Sequence, residues 1–252
     1  MIPLKDENPT TRAPVVTVLL IAACIAIFAL IQPRDQGVED ATFSFKHAAI
    51  PCEVVKGRPL SLEELRATLE DGVDTACARD PFGPAPFAGK SVFLAVLYSM
   101  FLHGSWIHLG GNMLFLWIFG NNIEDRMGSL VYLAFYLAAG LAATAAHILV
   151  QPDSTVPVVG ASGAIAGVMG AYLVLYPNVR IRSLIFLGFF VFFRDVAAKW
   201  LLGLWLLSQF FINAESGVAW MAHVGGFVFG VAAGLIWRAA GSTDNRREIA
   251  RY

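Results

Sequence analysis

The chain has 252 residues, of which 57% are hydrophobic and only 15% charged, and its formal net charge is −1. An ordinary soluble domain is about 45–50% apolar and about 25% charged, so this composition excludes a disordered chain, a nucleic-acid-binding protein and a typical cytosolic enzyme. It predicts a membrane protein, most of whose surface faces lipid.

The first predicted membrane span covers residues 14–32. Its uncharged run, residues 15–31, has 17 residues, which is longer than the apolar region of about 7–15 residues in a signal peptide. No small-residue cleavage site follows this run. We therefore expect a retained helix rather than a signal peptide, with residues 1–13 as an N-terminal tail.

Residues 33–92 form the one long polar stretch and are predicted to be a loop outside the membrane. Within it, residues 60–69 have the pattern of a short amphipathic helix, and Ser61 with Glu64 three residues later fits a capping box. Cys52 and Cys77 also lie here. They pair if the loop faces an oxidising compartment and stay free thiols otherwise, and the sequence leaves both alternatives open.

Five further spans are predicted, at residues 105–122, 129–150, 161–176, 196–213 and 218–238. Two other apolar segments fall short of the roughly 20 residues that a spanning helix needs. We expect residues 91–102 to form an interfacial helix and residues 184–193 to lie at the interface or re-enter the membrane. The expected fold class is all-α, a six-helix polytopic bundle with its core at 93–238 and a C-terminal tail at 239–252.

The basic residues predict the orientation of this bundle. Lys or Arg occurs in both tails and in the connections near 121–128 and 177–195, whereas the connections 151–160 and 214–217 have none. Short cytoplasmic connections carry the excess of Lys and Arg. We therefore expect both termini to be cytoplasmic and the 33–92 loop to lie on the outer side.

Polar residues interrupt the predicted spans at four places. They are His103, His108 and Asn112 at the outer end of span two, Ser162 at the outer end of span four, His223 near the outer end of span six, and Asn122, Glu124, Asp125 and Arg126 at the inner end of span two. Ionisable groups are rare in membrane spans unless they have a function. The first three sites share one depth and supply a nucleophile, a base and hydrogen-bond donors, as acyl transfer requires.

Each of these residues has a catalytic and a plainer interpretation. Ser162 is a candidate nucleophile whose helix N-terminus can hold an oxyanion, or simply a helix cap. His223 is a candidate base or a core histidine bonded to a neighbouring helix. His108 and Asn112, four residues apart on one helix face, are candidate oxyanion donors or a clamp between helices. No acidic residue lies at this depth in the last two spans, so we expect a dyad rather than a triad.

Two further patterns bear on the site. Three histidines can bind zinc, but no Asp, Glu or Cys lies at matching depth, and we expect no metal. Glycines line one face of span six at 226, 230 and 234 and one face of span four at 163, 167 and 170, which predicts close packing of these helices. That packing would bring Ser162 and His223 together.

The motifs resemble those of rhomboid intramembrane serine proteases of the six-span bacterial type. The matching segments follow the family's order: HGSWIHLGGN (103–112), NNIEDRMG (121–128), GASGAIAGVMGAY (160–172), GLWLLSQ (203–209) and AHVGGFVFG (222–230). Ala166 departs from members that carry an aromatic residue there, packed on the catalytic histidine. The 33–92 loop contains a Cys-containing insert that has no match in the family.

The resemblance implies a role for each matching residue. Ser162 would be the nucleophile and His223 the general base, with an oxyanion hole formed by His108, Asn112 and the Ser162 backbone N–H. Structural support would come from His103, Glu124, Arg126, Gly160, Gly163, Gly226 and Gly230. Trp205 and Gln209 match a pattern of span five.

The resemblance also implies an activity and a location. The substrates would be transmembrane segments of other membrane proteins, cleaved without metal or other cofactor. The protein would be a multi-pass protein of a bacterial inner membrane, in contact with the lipid bilayer and not with nucleic acid. The sequence assigns no oligomeric state.

Three other functions remain as alternatives. An inactive rhomboid-like protein that binds transmembrane clients would lack the serine or the histidine, and both are present here. A transporter would be expected to contain repeats or broken helices, and none is visible in the sequence. A scaffold would leave the layer of polar residues unexplained.

Overall fold

The computed structural model describes residues 1–33, 37–80, 82–212 and 218–240. The connection 214–217 and the C-terminal tail from residue 241 lie outside the described residues. The helices are α1 Val15–Leu30, α2 Val38–His47, α3 Pro51–Lys56, α4 Leu62–Leu69, α5 Val92–Ser99, α6 Trp106–Phe115, α7 Asn121–Met127, α8 Ser129–Val150, α9 Ser162–Leu175, α10 Ala198–Gln209 and α11 Trp220–Ala240. The strands are β1 Ile2–Asp6, β2 Arg180–Leu187 and β3 Phe190–Ala197.

A helix occupies each of the six predicted spans, and the fold is mostly helical. Within the described residues, two helices, α8 and α11, are long and apolar enough to cross a membrane by length and composition alone. Two more, α1 and α9, are apolar but shorter. The predicted interfacial segment 91–102 contains the short helix α5.

Helices α6 and α7 form one continuous helical segment with an irregular centre. The residues between them, Leu116–Gly120, form a π-helical turn, which accommodates one residue more than an α-helical turn. Ser105 caps the start of the segment by accepting the backbone N–H of His108 at 3.1 Å. At its end Gly128 has a φ of +82°, a conformation that favours glycine.

Helices α9 and α11 pack backbone against backbone, as the glycine spacing predicts. A Cβ atom added to Gly226 or Gly230 would overlap the carbonyl oxygen of Gly163 or Gly167. Small residues allow two helices to approach this closely. We call this contact the glycine seam, and it aligns the start of α9 with the start of α11.

Glu124 on α7 caps the start of α1. Its carboxylate accepts the backbone N–H groups of Val16 and Thr17, each at 2.8 Å, and the hydroxyls of Thr17 and Ser129. These N–H groups have no partner within an α-helix, and the N-cap residue Pro14 makes no capping side-chain bond. A negative charge is also favourable at a helix N-terminus. Glu124 thus links the start of α1 to α7 and to Ser129, and Arg126 lies half-buried nearby.

A three-stranded antiparallel sheet in the order β1-β2-β3 lies beside the helices, so the prediction of an all-α fold is wrong in this region. Ile2 pairs with Leu184, and Arg180 pairs with Ala197. Residues 184–193 form the tip of the β2–β3 hairpin. No strand signal is visible there in the sequence, because the tip is apolar on both faces and lacks the usual alternation.

The segment between α1 and α5 folds into a small unit of its own. We call residues 38–80 and 82–90 the cap. Cys52 and Cys77 form a disulfide within it, which selects the paired alternative. An apolar cluster of Phe45, Ile50, Cys52 and Leu60 surrounds the bond.

Two ion pairs stabilise the cap. Lys90 and Glu53 pair at 2.6 Å with both side chains 2% exposed, and Arg58 and Glu64 pair at 2.7 Å. Ser61 and Glu64 form the predicted capping box at the start of α4. Burial alone would raise the pKa of Glu64, but the Arg58 guanidinium and the backbone N–H groups of Ser61 and Ala78 outweigh it and hold that pKa below its ordinary value.

The glycine seam predicts a specific sensitivity to added methyl groups. We expect Gly230→Ala to destabilise the protein by about 1–3 kcal/mol, because overpacking a close contact forces the backbones apart. The matched control is Gly203→Ala on α10, where an added Cβ meets nothing within 4 Å and helix propensity favours alanine by about 1 kcal/mol. Thermal unfolding in detergent measures both; equal melting temperatures for the two variants would contradict the packing.

The Glu64 carboxylate predicts a pH-dependent cap. We expect Glu64→Gln to destabilise the cap by about 1–3 kcal/mol at neutral pH, since Arg58 and two N–H groups lose a charged acceptor. The folded pKa is depressed, so this contribution is present above the ordinary glutamate pKa and is lost as the pH falls through the folded one.

Hydrogen exchange of residues 60–80 measures this effect. The difference between wild type and Glu64→Gln should close below about pH 4. Glu63→Gln is the control, because Glu63 is on the same helix and 55% exposed. A pH-independent difference would argue against the ion pair as its source.

Candidate active site

A cleft of about 1030 Å³ lies at the end of the bundle where α9 and α11 begin. Its walls come from α6, α8, α9, α10, α11 and the loop 151–160, and Asp74 and Thr75 of the cap line it as well. The cleft contains Ser162, His223, His108 and Asn112 together. The four predicted catalytic and oxyanion residues therefore share one cavity.

Ser162 and His223 are in hydrogen-bonding contact. The Ser162 Oγ lies 2.8 Å from the Nε2 atom of His223. The other ring nitrogen, Nδ1, lies 2.7 Å from the Oε1 atom of Gln209. A serine hydroxyl, an imidazole and a third group that contacts the far side of the ring are the arrangement that activates a serine nucleophile.

Ser162 is the first residue of α9, and Gly160, two residues before it, has a φ of +129°. That backbone conformation favours glycine. A Cβ on Gly160 would also lie 2.9 Å from the His108 ring and 3.4 Å from the Ser162 Oγ. Gly160 therefore lets the histidine and the serine approach the same point, where the first N–H groups of α9 have no helical partner.

The His108 ring contacts the backbone just before α6. The N–H of Gly104 donates to its Nδ1 atom at 3.4 Å, which favours the tautomer with the ring proton on Nε2. That Nε2 atom lies on the side of Gly160 and Ser162. His108 can therefore donate a hydrogen bond near the serine.

Asn112 follows His108 by one turn on α6 and is 7% exposed. Its Nδ2 amide is buried without a hydrogen-bond partner in the structure. A buried amide donor without a partner is costly. A donor of this kind at the wall of the cleft is available to a ligand oxygen.

The predicted supporting residues surround this layer. The backbone of His103 is clamped by Gln32 at the end of α1 through two hydrogen bonds, of 3.0 and 3.1 Å. Gly163 and Gly226 belong to the glycine seam directly beneath the serine and the histidine. The His103 ring lies beside that of His108, with centroids 5.3 Å apart.

The cap holds the loop 151–160, which leads into Ser162. Cys52 donates its N–H to the carbonyl of Ser154 at 2.9 Å, and Thr155 donates to that of Asp74 at 2.8 Å. Val158 in turn donates to Ala49 at 2.8 Å. The cap therefore forms part of the frame of the cleft, a role that the sequence did not assign.

Two cleft residues were not given a role from the sequence. Gln209 matched a pattern but had no assigned contact, because only the folded chain brings α10 beside His223. His147 on α8 was not noticed; it is 6% exposed, lines the cleft and has an Nδ1 atom without a partner. A histidine near the end of an otherwise apolar span is the sequence signal that could have identified it.

Comparison with known proteins identifies a family. Residues 90–240, more than half of the chain, match the family model described as Rhomboid domain. The chain is 34% identical over 151 residues to "Presenilin-associated rhomboid-like protein, mitochondrial" of Bos taurus, covering 57% of this chain and 38% of that protein. It is 28% identical over 164 residues to "Rhomboid protein 1, mitochondrial" of Saccharomyces cerevisiae, covering 62% of this chain and 44% of that protein.

A plant protein is similar as well. "Rhomboid-like protein 11, chloroplastic" of Arabidopsis thaliana is 34% identical over 143 residues, covering 54% of this chain and 49% of that protein. The matches thus span half or less of each relative's length. The mitochondrial and chloroplastic names contradict the prediction of a bacterial inner membrane. That prediction was wrong because composition and charge do not distinguish a bacterial inner membrane from an organellar one.

The contact between Ser162 and His223 predicts a reactive serine. We expect a fluorophosphonate probe to label Ser162, and Ser162→Ala to remove the label. His223→Ala should slow labelling by about 10²- to 10⁴-fold, the usual contribution of a general base. In-gel fluorescence with mass spectrometry of the labelled peptide measures this. Ser44→Ala, on α2 in the cap, should label like wild type; equal labelling of His223→Ala would show that the histidine does not activate the serine.

Proposed function

The chain belongs to the rhomboid family, and from this premise we propose that it is an intramembrane serine endopeptidase. It hydrolyses peptide bonds in or near transmembrane segments of other membrane proteins. Ser162 is the nucleophile and His223 the general base. The observation that carries the proposal is the 2.8 Å contact between the Ser162 Oγ and the His223 Nε2 inside the cleft.

In the first step the Ser162 Oγ attacks the carbonyl carbon of the scissile bond. The hydroxyl proton passes to the His223 Nε2, and the carbonyl oxygen becomes an oxyanion. The C–N bond then breaks, and the Nε2 proton passes to the leaving amine. A water molecule, deprotonated by the same Nε2, hydrolyses the acyl ester and restores the serine.

The oxyanion is bound by three donors: the Ser162 backbone N–H, the Asn112 Nδ2 and the His108 Nε2. The partnerless Asn112 amide supports this assignment, since the oxyanion supplies the acceptor that the free protein lacks. The Gly104–His108 contact supports it too, because it leaves the proton on the donor nitrogen. Donors oriented before the reaction stabilise the developing charge most effectively.

The proposal includes a six-span arrangement of α1, the α6–α7 segment, α8, α9, α10 and α11. Successive helices alternate in direction, since α9 and α11 begin at the cleft, whereas α8 and α10 end there. Helix α9, with 14 residues, is about 21 Å long and shorter than the roughly 30 Å hydrocarbon core. Ser162 at its N-terminus is therefore recessed, within reach of water entering the cleft.

The setting and the substrates follow from the family. The names of the relatives support an organellar membrane as the location. A transmembrane helix has its amides bonded internally, so cleavage requires local unwinding at the cleft. Substrates with small or helix-destabilising residues near the membrane surface are therefore favoured.

The test is cleavage of a single-span model substrate by the purified chain in liposomes. We expect wild type to cleave it in the presence of a chelator and Ser162→Ala to have no activity. Asn112→Ala should lower kcat by about 10²- to 10³-fold, the usual effect of one oxyanion donor. Asn178→Ala, which removes only an exposed contact with Lys199, is the matched control.

The outcomes separate the alternatives. Cleavage by wild type and not by Ser162→Ala supports a serine protease. A folded wild type that neither cleaves nor reacts with a fluorophosphonate overturns the proposal and favours a rhomboid-like protein that binds clients without cleaving them.

A further inference from the structure

Gln209 is the last residue of α10 and is 4% exposed. Its amide nitrogen donates to the carbonyl of Trp205 at 3.0 Å and to the hydroxyl of Ser208 at 3.2 Å. Both amide protons are therefore occupied. The amide oxygen is left to face the Nδ1 atom of His223, 2.7 Å away.

This contact determines where the histidine carries its proton. An amide oxygen only accepts hydrogen bonds, so the Nδ1 atom of His223 must bear the hydrogen. The Nε2 atom then carries the lone pair, and the Ser162 hydroxyl donates to it at 2.8 Å. The neutral ring is thus already in the tautomer that a general base needs.

Trp205, one helical turn before Gln209, contacts the same ring in a tilted arrangement. The Trp205 and His223 ring centroids are 5.8 Å apart, and Trp205 also stacks on Phe227 at 6.1 Å. Ala166 is fully buried with only a methyl group, so this position of α9 supplies no aromatic support. Helix α10 therefore supplies both an aromatic contact and the hydrogen bond that orient the base.

We propose that Gln209 is the positioning residue of His223 and makes the site a Ser–His–Gln arrangement with a neutral third member. The inference rests on the proposed proteolytic function and deepens it. A neutral amide orients the ring without a third buried charge, which is costly at this depth. The sequence has no acidic residue at this depth in the last two predicted spans, and the amide oxygen of Gln209 is the hydrogen-bond acceptor for His223 instead.

The first experiment compares Gln209→Leu and Gln209→Glu in the liposome cleavage assay. Leucine removes the acceptor at similar volume, and we expect kcat to fall about 10- to 100-fold with little change in KM. This is smaller than the roughly 10⁴-fold loss when a protease histidine is held in the wrong tautomer. Glutamate restores an oxygen acceptor and should keep kcat within about tenfold of wild type at pH 8.

The pH profile provides a readout that a packing role would not move. His108 and His147 are the titratable histidines that line the cleft with His223, and both are unchanged in these variants. Gln209→Leu removes the acceptor of the imidazolium, so the acid limb of kcat/KM should move to lower pH. Leu207→Ala, 54% exposed on the same helix, should leave both rate and profile unchanged.

The second experiment does not depend on cleavage. Nitrogen-15 NMR of labelled histidine in the Ser162→Ala protein reports the tautomer of His223, assigned by its loss in the His223→Ala variant. We expect a protonated Nδ1 both in the protein that retains Gln209 and in the Gln209→Glu variant, and a mixture of tautomers in the Gln209→Leu variant. Thermal unfolding of each variant confirms that it is folded.

The results separate failure of this inference from failure of the proposed function. Unchanged activity and an unchanged tautomer in Gln209→Leu would overturn the positioning role, and so would equal losses for the leucine and glutamate variants. If the wild type does not cleave, but the Gln209→Leu variant loses the Nδ1 tautomer that the protein with Gln209 has, the protease function is overturned and the positioning role remains.

Discussion

The close approach of α9 and α11 is the constraint on which the candidate active site depends. At the glycine seam the backbone of one helix lies against the backbone of the other, with no side chain between them to adjust. The serine and the histidine lie at the start of these two helices, so their 2.8 Å contact is set by the seam rather than by flexible side chains. A hydrogen bond weakens when its heavy atoms lie more than about 3.2 Å apart. A methyl group added in the seam would push the two helices apart by more than this contact tolerates.

Buried polar side chains hold helix ends and ring positions at both ends of the bundle. The carboxylate of Glu124 binds unpaired N–H groups at the start of α1, at the opposite end of the bundle from the cleft. Near the cleft neutral amides take this part, with Gln32 holding the backbone of His103 and Gln209 holding His223. The groups that hold His103 and His223 are thus neutral amides, at a place where a buried charge would be costly.

Much of the site could be anticipated from the sequence because its signals are local. The paired glycines predicted the seam, and the His108–Asn112 spacing predicted donors on one helix face. The contact of Gln209 could not be anticipated, since it depends on how α10 lies against α11. The β2–β3 hairpin was missed because phenylalanines on both faces hide the alternation of a strand. The pairing of Cys52 with Cys77 was left undecided because sequence spacing alone does not fix the distance between two thiols.

The π-helical turn at Leu116–Gly120 has a consequence for the phase of the helix around it. One extra residue rotates everything that follows by about 100° relative to a regular helix. His108 and Asn112 before the turn face the cleft, whereas Glu124 after it faces the first turn of α1. The two ends of the segment therefore face different directions around its axis. Removing a single residue from the turn would leave one end correctly oriented and rotate the other away from its partners.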